Sequence, residues 1–285
     1  MRLTSKILIG MFVVILITSV CVLTRLASLY DNSFEKGTTL EGEQVKIEMP
    51  SECKVLVLKM DIPDEWKDLL YEFKKKIEGD FELKVAATEI EKNRLTVISE
   101  AESFINRTVS NDTLLLSLDF DKLYAKYYDN GFGRIKGLNF TFHSDSIIDI
   151  VNNIPGLCVS ATGLTAKSLS LTSLAGDIRV EGSRFLTFTP ISHLNNNKLI
   201  LKESIIDTLN LDMDGIPGWR EMDNCDIDVL NLIGYNDSEY GGNKNYDIDT
   251  DFCKTVNWLP KDDNVTLTLR VHTTPGKKGS FTLPQ

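Results

Sequence analysis

The chain lacks the short motifs that accompany the common catalytic chemistries. No GxSxG nucleophile elbow, P-loop, HExxH zinc motif or dinucleotide-binding glycine pattern occurs in its 285 residues. It has no CxxC pair, and its three histidines (His143, His193 and His272) pair with no other metal ligand in the sequence. These absences argue against a zinc site, and the sequence predicts no catalytic residues, no cofactor and no enzyme activity.

Basic residues are too few and too dispersed for a nucleic-acid-binding protein. The 31 Lys and Arg residues are outnumbered by 41 Asp and Glu residues, which gives a net charge of −10. No basic cluster lies near an aromatic platform, so nucleic acid is not an expected partner. The negative field also repels anionic polymers unless a divalent cation bridges them.

Cysteine is scarce as well, with five residues in the chain. Cys21 lies in the N-terminal apolar run, and the other four are widely scattered. Disulfides are one interpretation for a chain outside the cytoplasm. The other is that Cys158 and Cys225 are small buried residues of the core.

No Asp or Glu precedes Asp31, and residues 1–30 are predicted to form a signal anchor. The run Ile7–Leu23 has 17 residues and no charge, near the short end for a transmembrane helix of about 20 residues. A cleavable signal peptide is the alternative, but no clear cleavage site follows the run. Arg2 and Lys6 precede it, which predicts a single-pass protein with a cytoplasmic N-terminus and its bulk in the periplasm or cell envelope.

The next hundred residues predict a stalk and then a β-rich region. Residues 31–50 are polar and are expected to lead away from the membrane, and residues 51–133 are expected to be mainly β. Apolar and β-branched runs predict strands at 53–60, 81–88, 94–99 and 113–120.

One helix is predicted in this β-rich region, over residues 64–78. Trp66, Leu69, Phe73 and Ile77 recur at helical spacing and define one apolar face. The helix is expected to pack on the strands. Binding a partner through its apolar face is the alternative.

From residue 134 to residue 272 the sequence is periodic, and residues of similar chemistry recur at every twenty-first position. Four sets of residues with this spacing keep their chemical type, three of them mainly apolar and one small. The sets are Leu138, Val159, Val180, Leu201 and Met222; Thr141, Thr162, Ser183, Ser204 and Cys225; Ile148, Leu169, Pro190, Leu211, Leu232 and Cys253; and Phe185, Ile206, Ile227 and Ile248.

This 21-residue period predicts a β-solenoid, similar to a parallel β-helix, in which successive coils stack about 4.8 Å apart. The apolar sets are expected to fill the interior. The small set is expected at a tight corner, where hydroxyl groups bond the backbone. Residues 264–272 are expected to form a closing strand, and residues 273–285 a loose tail.

Asp-Ile-Asp occurs twice, at residues 226–228 and 247–249, and the repeat explains it. The isoleucines point inward and the acids point to solvent. Asp207, Asp228 and Asp249 are then expected to stack as a ladder of carboxylates about 5 Å apart, which repel one another unless solvent or a cation offsets them.

The carboxylate ladder leaves two further interpretations open. One is a calcium site, although no DxDxDG loop or GGxGxD repeat supports it, and no metal ligand is assigned. The other is a catalytic cluster around Asp207, Asp226 and Asp228, as in β-helical polysaccharide enzymes. A second polar ladder, Asn210 and Asn231, is expected to stabilise the stack.

Several stretches resemble a known family. The run MRLTSKILIGMFVVILI precedes rungs such as IIDIVNNIPGLCVSATGLTAKSLSLTSLAGDIRV and LILKESIIDTLNLDMD. This pattern resembles bacterial envelope proteins with the head GIN domain, described as autotransporter-adhesin heads, over roughly residues 90–270. Members carry Gly-rich corners after the strands, which Gly176 and Gly182 retain and Glu203 and Asn224 replace. The resemblance implies a β-solenoid in the cell envelope and supplies no catalytic residues.

Three functional hypotheses follow. The first is a membrane-anchored, extracytoplasmic β-solenoid that binds or scaffolds, held by residues 7–23, with glycans or envelope proteins as partners. The alternative is a polysaccharide-active β-helix enzyme that uses the acids around Asp207 and Asp228. A sensor or anti-sigma-like partner ranks last, because six residues before the span are too few for a docking domain.

Overall fold

The computed structural model is mainly β and places most of the residues that it describes in strands. It describes residues 18–25, 38–49, 53–62, 77–127, 135–193, 197–216, 220–234, 244–249, 253–261 and 267–272. Residues 18–25 are helical, and two short helices follow at Ser99–Glu102 and Phe120–Tyr127.

The strands of the described residues are numbered in chain order. They are β1 (Thr38–Thr39), β2 (Gln44–Glu48), β3 (Val55–Asp61), β4 (Ile77–Lys84), β5 (Arg94–Ile98), β6 (Ile105–Ser110), β7 (Thr113–Asp119), β8 (Ile135–Lys136), β9 (Phe140–His143), β10 (Asp149–Asn153), β11 (Leu157–Thr162), β12 (Thr165–Ser173), β13 (Ile178–Glu181), β14 (Arg184–Ser192), β15 (Leu199–Lys202), β16 (Ile205–Asp212), β17 (Arg220–Asp223), β18 (Asp226–Gly234), β19 (Lys244–Asp249), β20 (Cys253–Pro260) and β21 (Leu267–His272).

Two large sheets contain most of these strands, and from β9 to β18 the chain visits them alternately. The first sheet has the order β17-β15-β13-β11-β4-β9-β5-β2, and off this path β8 pairs with β4 and β1 pairs with β8. The second has the order β20-β18-β16-β14-β12-β10-β3-β7-β6. From β10 to β18, each strand except β17 lies parallel to the strand two places later in the chain. The prediction of mainly β structure is confirmed, and large parallel sheets dominate it.

The register confirms the predicted spacing in the middle of the repeat. In the first sheet, Ile178 of β13 lies beside Leu199 of β15, and β15 keeps the same spacing to β17. In the second sheet, Phe185, Ile206 and Ile227 are neighbours on β14, β16 and β18. Residues one period apart therefore form ladders of like side chains across this part of both sheets.

At one step in each sheet the spacing is two residues shorter, which corrects the predicted ladders there. Val180 of β13 lies beside Ala161 of β11, and not beside Val159 as predicted. Likewise Pro190 of β14 lies beside Leu171 of β12, and not beside Leu169. The connection between β12 and β13 is two residues shorter than the connection between β14 and β15. A fixed period of 21 residues therefore assigns the wrong neighbours across this step.

The step from β18 to β20 in the second sheet is longer than 21 residues, so the predicted pairing of Ile227 with Ile248 is wrong. Cys253 of β20, and not Ile248, lies beside Ile227. Ile248 belongs to β19, which pairs with β21 in a separate two-stranded sheet. The predicted closing strand is therefore present from Leu267 to His272, and its partner is β19.

The core lies between inward-facing side chains of the two sheets. Strands alternate buried and exposed positions, so that Ile178 and Val180 of β13 are buried while the residues after each are exposed. Phe185 and Phe188 of β14 are fully buried, with ring centroids 5.5 Å apart. Burying each such side chain stabilises the fold by about 1.5–3 kcal/mol.

The predicted small-residue corner is confirmed for its later members. Ser183, Ser204 and Cys225 are buried. The backbone N–H of Leu164 donates to Ser183 Oγ at 3.1 Å, and the N–H of Ser183 donates to Ser204 Oγ at 3.3 Å. The hydroxyl groups therefore satisfy backbone donors that would otherwise be buried without a partner.

The N-terminal strands extend the same two sheets. β3 lies between β7 and β10 in the second sheet, and β4 lies between β9 and β11 in the first. The strands predicted at 53–60, 81–88, 94–99 and 113–120 correspond to β3, β4, β5 and β7. Strands from both sides of the predicted boundary at residue 134 therefore belong to the same two sheets.

The expectation of a stalk over residues 31–50 is corrected for residues 38–49. β2 pairs antiparallel with β5, and Leu40, Ile47 and Met49 are buried. These apolar side chains alternate with polar ones, which suits a sheet edge with one buried face.

The predicted helix over residues 64–78 is corrected at its end. Ile77 and Glu78 begin β4, where Ile77 is buried and pairs with Ile135 of β8. Alternation in Ile77–Lys84 favours a strand, and the sheet offers backbone partners on both sides. The rest of the predicted helix, and the tail 273–285, lie outside the described residues.

Residues 18–25 are the described part of the predicted anchor. In the described ranges, we find no helix with both the length and the apolar character needed to cross a membrane.

Candidate functional site

Polar residues project from the outer face of the first sheet because its strands alternate. Arg179 and Glu181 of β13 are exposed between buried residues. β11 follows the same alternation, with Ser160 and Thr162 on the outer face. Pairing places Ser160 beside Arg179 and Thr162 beside Glu181.

A shallow depression lies on this face, where β4, β11 and β13 run side by side. Its volume is about 250 Å³. It is lined by Asp80, Glu82, Ser160, Ala161, Thr162, Arg179 and Glu181, and we call it the first-sheet depression.

Charged and hydroxyl groups in the first-sheet depression contact one another. Arg179 Nη1 lies 3.3 Å from Asp80 Oδ1. Thr162 Oγ1 donates to Glu82 Oε1 at 2.9 Å, and Lys84 Nζ lies 2.9 Å from Glu82 Oε2. Such exposed ion pairs contribute about 0–1 kcal/mol each, so a ligand can exchange them at little cost.

Glu181 differs from the other two carboxylates of the first-sheet depression. Across the described ranges, its carboxylate has no hydrogen bond or ion pair. Of the three carboxylates that line the depression, Asp80 pairs with Arg179 and Glu82 pairs with Lys84, so the charge of Glu181 is the one left without an ion pair among the described residues.

Cys158 lies beside the first-sheet depression on β11. Burial raises the pKa of its thiol above the ordinary value, although a backbone hydrogen bond at Asp177 and the charge of Arg179 act in the opposite direction. The thiol is therefore protonated at neutral pH, which does not suit a nucleophile.

The structure brings Asp207 and Asp228 together on the outer face of the second sheet. They occupy equivalent positions on β16 and β18, because the flanking pairs Ile206–Ile227 and Thr208–Val229 are in register. Asp226 lies on the same strand as Asp228. We call these three residues the acidic patch.

The next position of this ladder holds Lys254 of β20, because Cys253 lies beside Ile227 and Thr255 beside Val229. Lys254 Nζ lies 3.4 Å from Asp226 Oδ1 and also contacts Asp228. The hydrogen bond to Asp228 raises the pKa of Lys254 above its ordinary value, and Asp226 adds to this effect. An ammonium group therefore offsets the repulsion between neighbouring carboxylates.

Asp249 is not part of this ladder. It lies on β19, where its backbone pairs with His272 of β21. Within the described part of the chain, no group of three or more His, Cys, Asp or Glu side chains is arranged to hold a metal ion.

The predicted asparagine ladder is present and longer than expected. Asn231 Nδ2 donates to Asn210 Oδ1 at 2.8 Å, and Asn257 Nδ2 donates to Asn231 Oδ1 at 2.9 Å. At the other end, Asn210 Nδ2 donates to Thr189 Oγ1 at 3.1 Å. The amide groups therefore satisfy one another along the stack, which suits a structural role.

A lysine also holds the Asp212–Asp214 pair at the end of β16. Lys261 Nζ lies 2.9 Å from Asp212 Oδ2 and 2.8 Å from Asp214 Oδ2. Burial alone would lower the pKa of Lys261, but the hydrogen bonds to Asp214 and Asp212 outweigh it, so the pKa is raised. This contact links the end of β16 to the residue that follows β20.

Sequence reasoning missed the first-sheet depression as a unit. Glu82 and Ser160 are neighbours in the sheet although they lie far apart in the sequence. Alternation in each strand predicts which residues face outward, but no periodic signal relates β4 to β11. The position of Lys254 was missed because the last step is longer than the repeat.

No family model matches the chain, and no curated protein matches it. Among the solved structures that resemble it, three are each described as a "putative adhesin". The one from Bacteroides fragilis NCTC 9343 is 11% identical, with a TM-score of 0.45, and the match covers 83% of this chain and 98% of that chain. Those from Parabacteroides merdae ATCC 43184 and Parabacteroides distasonis ATCC 8503 are 10% and 9% identical, with TM-scores of 0.33 and 0.31. These two matches each cover 87% of this chain, with 99% and 100% of the other chain.

Proposed function

We propose that this chain is an adhesin-like binding or scaffolding module of the cell envelope, of the head GIN type. In this proposal the two large sheets form a β-solenoid outside the cytoplasm, and residues 7–23 hold it at the membrane with the N-terminus inside. Glycans or envelope proteins are its partners.

One observation carries the binding role: the first-sheet depression collects charged and hydroxyl groups on the outer face of a parallel sheet. Its lining residues belong to three hydrogen-bonded strands, so their backbones are already ordered before a ligand binds. Preorganisation of this kind lowers the entropic cost of binding.

We propose no catalytic role for the acidic patch. The polysaccharide-enzyme alternative needs an acid and a base around Asp207 and Asp228, but Lys254 is hydrogen-bonded to Asp228. Lys254 therefore already occupies a hydrogen-bonding position on the carboxylate that a base would use to contact its substrate. This arrangement favours a role in stabilising the stack.

Thermal melting of the full-length chain, purified in detergent, tests the binding role. A ligand that binds only the folded state raises the melting temperature, by the equivalent of about 2.7 kcal/mol at 100 times its Kd. We expect a shift with at least one glycan or envelope fraction, unchanged by Ca²⁺ or EDTA. Absence of any shift would contradict a binding module.

Cell fractionation tests the location. We expect the chain in the membrane fraction, with its C-terminal part degraded by protease added to cells whose outer layers are opened. A chain that stays protected or washes off as a soluble protein would contradict the anchored topology.

A further inference from the structure

We propose that the first-sheet depression binds one neutral sugar residue of a glycan chain, an assignment that rests on the binding function above. The site is Glu181, Arg179, Asp80, Glu82, Ser160 and Thr162, on β4, β11 and β13.

The size of the first-sheet depression limits what it can accept. Its volume of about 250 Å³ lies just below the range of about 300–1,000 Å³ found for drug-sized ligands. A single ring-sized polar unit is therefore the expected occupant. Because the depression opens on the sheet face, a polymer can continue on either side of that unit.

The lining groups match the hydrogen-bonding pattern of vicinal hydroxyl groups. Carboxylates only accept hydrogen bonds, and a guanidinium group only donates them. A sugar hydroxyl does both, so adjacent hydroxyls can donate to Glu181 and accept from Arg179. Hydrogen bonds with a charged partner are roughly twice as strong as neutral ones.

Three groups have unused hydrogen-bonding capacity. The Glu181 carboxylate is without a side-chain partner among the described residues. Arg179 has five N–H donors, and its described contacts are one with Asp80 and a long one of 3.9 Å from Nη2 to Cys158 Sγ. Ser160 Oγ donates to Phe81 O at 3.4 Å, and its oxygen can still accept.

The charge of the first-sheet depression selects against charged ligands. Asp80 and Glu82 are offset by Arg179 and Lys84, so the Glu181 carboxylate is the group that repels anionic sugars and phosphates. A cationic amine would satisfy Glu181 but would repel Arg179 and leave its donors unused. A neutral polyhydroxyl unit satisfies both kinds of group.

The test measures binding of four probes by calorimetry: cellotriose, maltotriose, mannotriose and chitotriose. Full-length wild-type protein is compared with Glu181→Gln and Arg179→Gln. Asp223→Asn is the matched control, because Asp223 lies in the same outward column as Glu181, two strands further along through Lys202. It loses the same charge outside the depression.

We expect at least one probe to bind, with Glu181→Gln and Arg179→Gln each weakening it about tenfold or more and Asp223→Asn less than twofold. Binding that is equal in all variants would overturn this site and leave the proposed function standing. No binding of any probe, while an envelope fraction still shifts the melt, would overturn the sugar assignment alone. Glu181-dependent binding of spermidine or Ca²⁺ in place of sugar would overturn it in favour of a cation site.

Discussion

The chain passes between its two sheets by two kinds of turn, and they differ in what limits them. From the first sheet to the second, each turn in the repeat has two residues: 163–164, 182–183, 203–204 and 224–225. On the way back, the number of residues between one strand and the next varies from three (154–156) to seven (213–219). We call them the two-residue turns and the return turns.

Backbone conformation limits the two-residue turns. Their first residues have positive φ angles: 68° at Gly163, 57° at Gly182, 48° at Glu203 and 50° at Asn224. A Cβ built on Gly163 or Gly182 meets nothing within 4 Å. Only the strain of the left-handed region opposes a side chain, so Glu and Asn are tolerated.

Close approach between backbones limits two of the return turns, those that contain Gly176 and Gly215. A Cβ built on Gly176 would lie 1.9 Å from Leu157 O, and one on Gly215 would lie 1.8 Å from Ser192 O. No side chain fits at such distances without movement of the backbone. The comparison indicates that the two-residue turns fix which side chains of the following strand face the core. The return turns at Gly176 and Gly215 bring neighbouring strands of one sheet into close contact, and the length of the return turns can vary.

Insertion of one glycine into a two-residue turn should give the largest loss of stability. Placed between Glu203 and Ser204, it shifts β16 by one residue and turns Ile206, Leu209 and Leu211 away from the core. Losing burial of three such side chains costs about 5 kcal/mol or more. Circular dichroism during heating should show the lost stability.

The matched control is a glycine inserted after His193, in a return turn. Loop lengthening alone costs under about 1 kcal/mol. Equal destabilisation by both insertions would contradict the assignment of register to the two-residue turns.

Gly176→Ala should have the next largest effect. The new methyl group overlaps a backbone carbonyl, so the adjacent strands must separate, at a cost of about 3 kcal/mol. Urea unfolding of the full-length chain measures this loss. A fall of less than about 1 kcal/mol in the free energy of unfolding would mean that the backbones at Gly176 and Leu157 are not in close contact.

The difference between the turns also explains how far the sequence could predict the fold. The ladder Phe185, Ile206 and Ile227 was predictable because the full path from each of these strands to the next keeps the same 21-residue spacing. The step from Val159 was not, because the return turn 174–177 is two residues shorter than the next, 193–198. The pattern of apolar and polar side chains predicts which residues face inward, but it does not predict where a connection between strands is longer or shorter.

Pairing in the N-terminal part lay beyond any periodic signal. Val55 of β3 lies beside Asp149 of β10, although the two are far apart in the sequence. The same holds for the candidate site, where Glu82 is placed next to Ser160 by long-range pairing of β4 with β11. By contrast, Asp207 and Asp228 were predicted as neighbours, because both lie in the regular middle of the repeat.

Gly182→Ala should cost less than Gly176→Ala and so separates strain from steric overlap. With φ at 57° and open space around the new methyl group, the left-handed conformation alone costs about 1–2 kcal/mol. Gly163→Ala is the matched variant and should agree with it. If Gly182→Ala destabilises as much as Gly176→Ala, the turn has a packing constraint that φ does not reveal.

Glu203→Gly should have a smaller effect on stability than the variants above, and it should stabilise the fold where they destabilise it. Glu203 adopts a φ of 48°, so glycine relieves strain of about 1–2 kcal/mol. Glycine also costs about 0.5–1 kcal/mol through the greater freedom of the unfolded chain, which leaves a net gain of about 0.5 kcal/mol. Asn224→Gly should gain less, because asparagine tolerates this conformation better than glutamate. Both differences are measurable in paired urea titrations, and destabilisation by Glu203→Gly would mean that the glutamate side chain itself supports the turn.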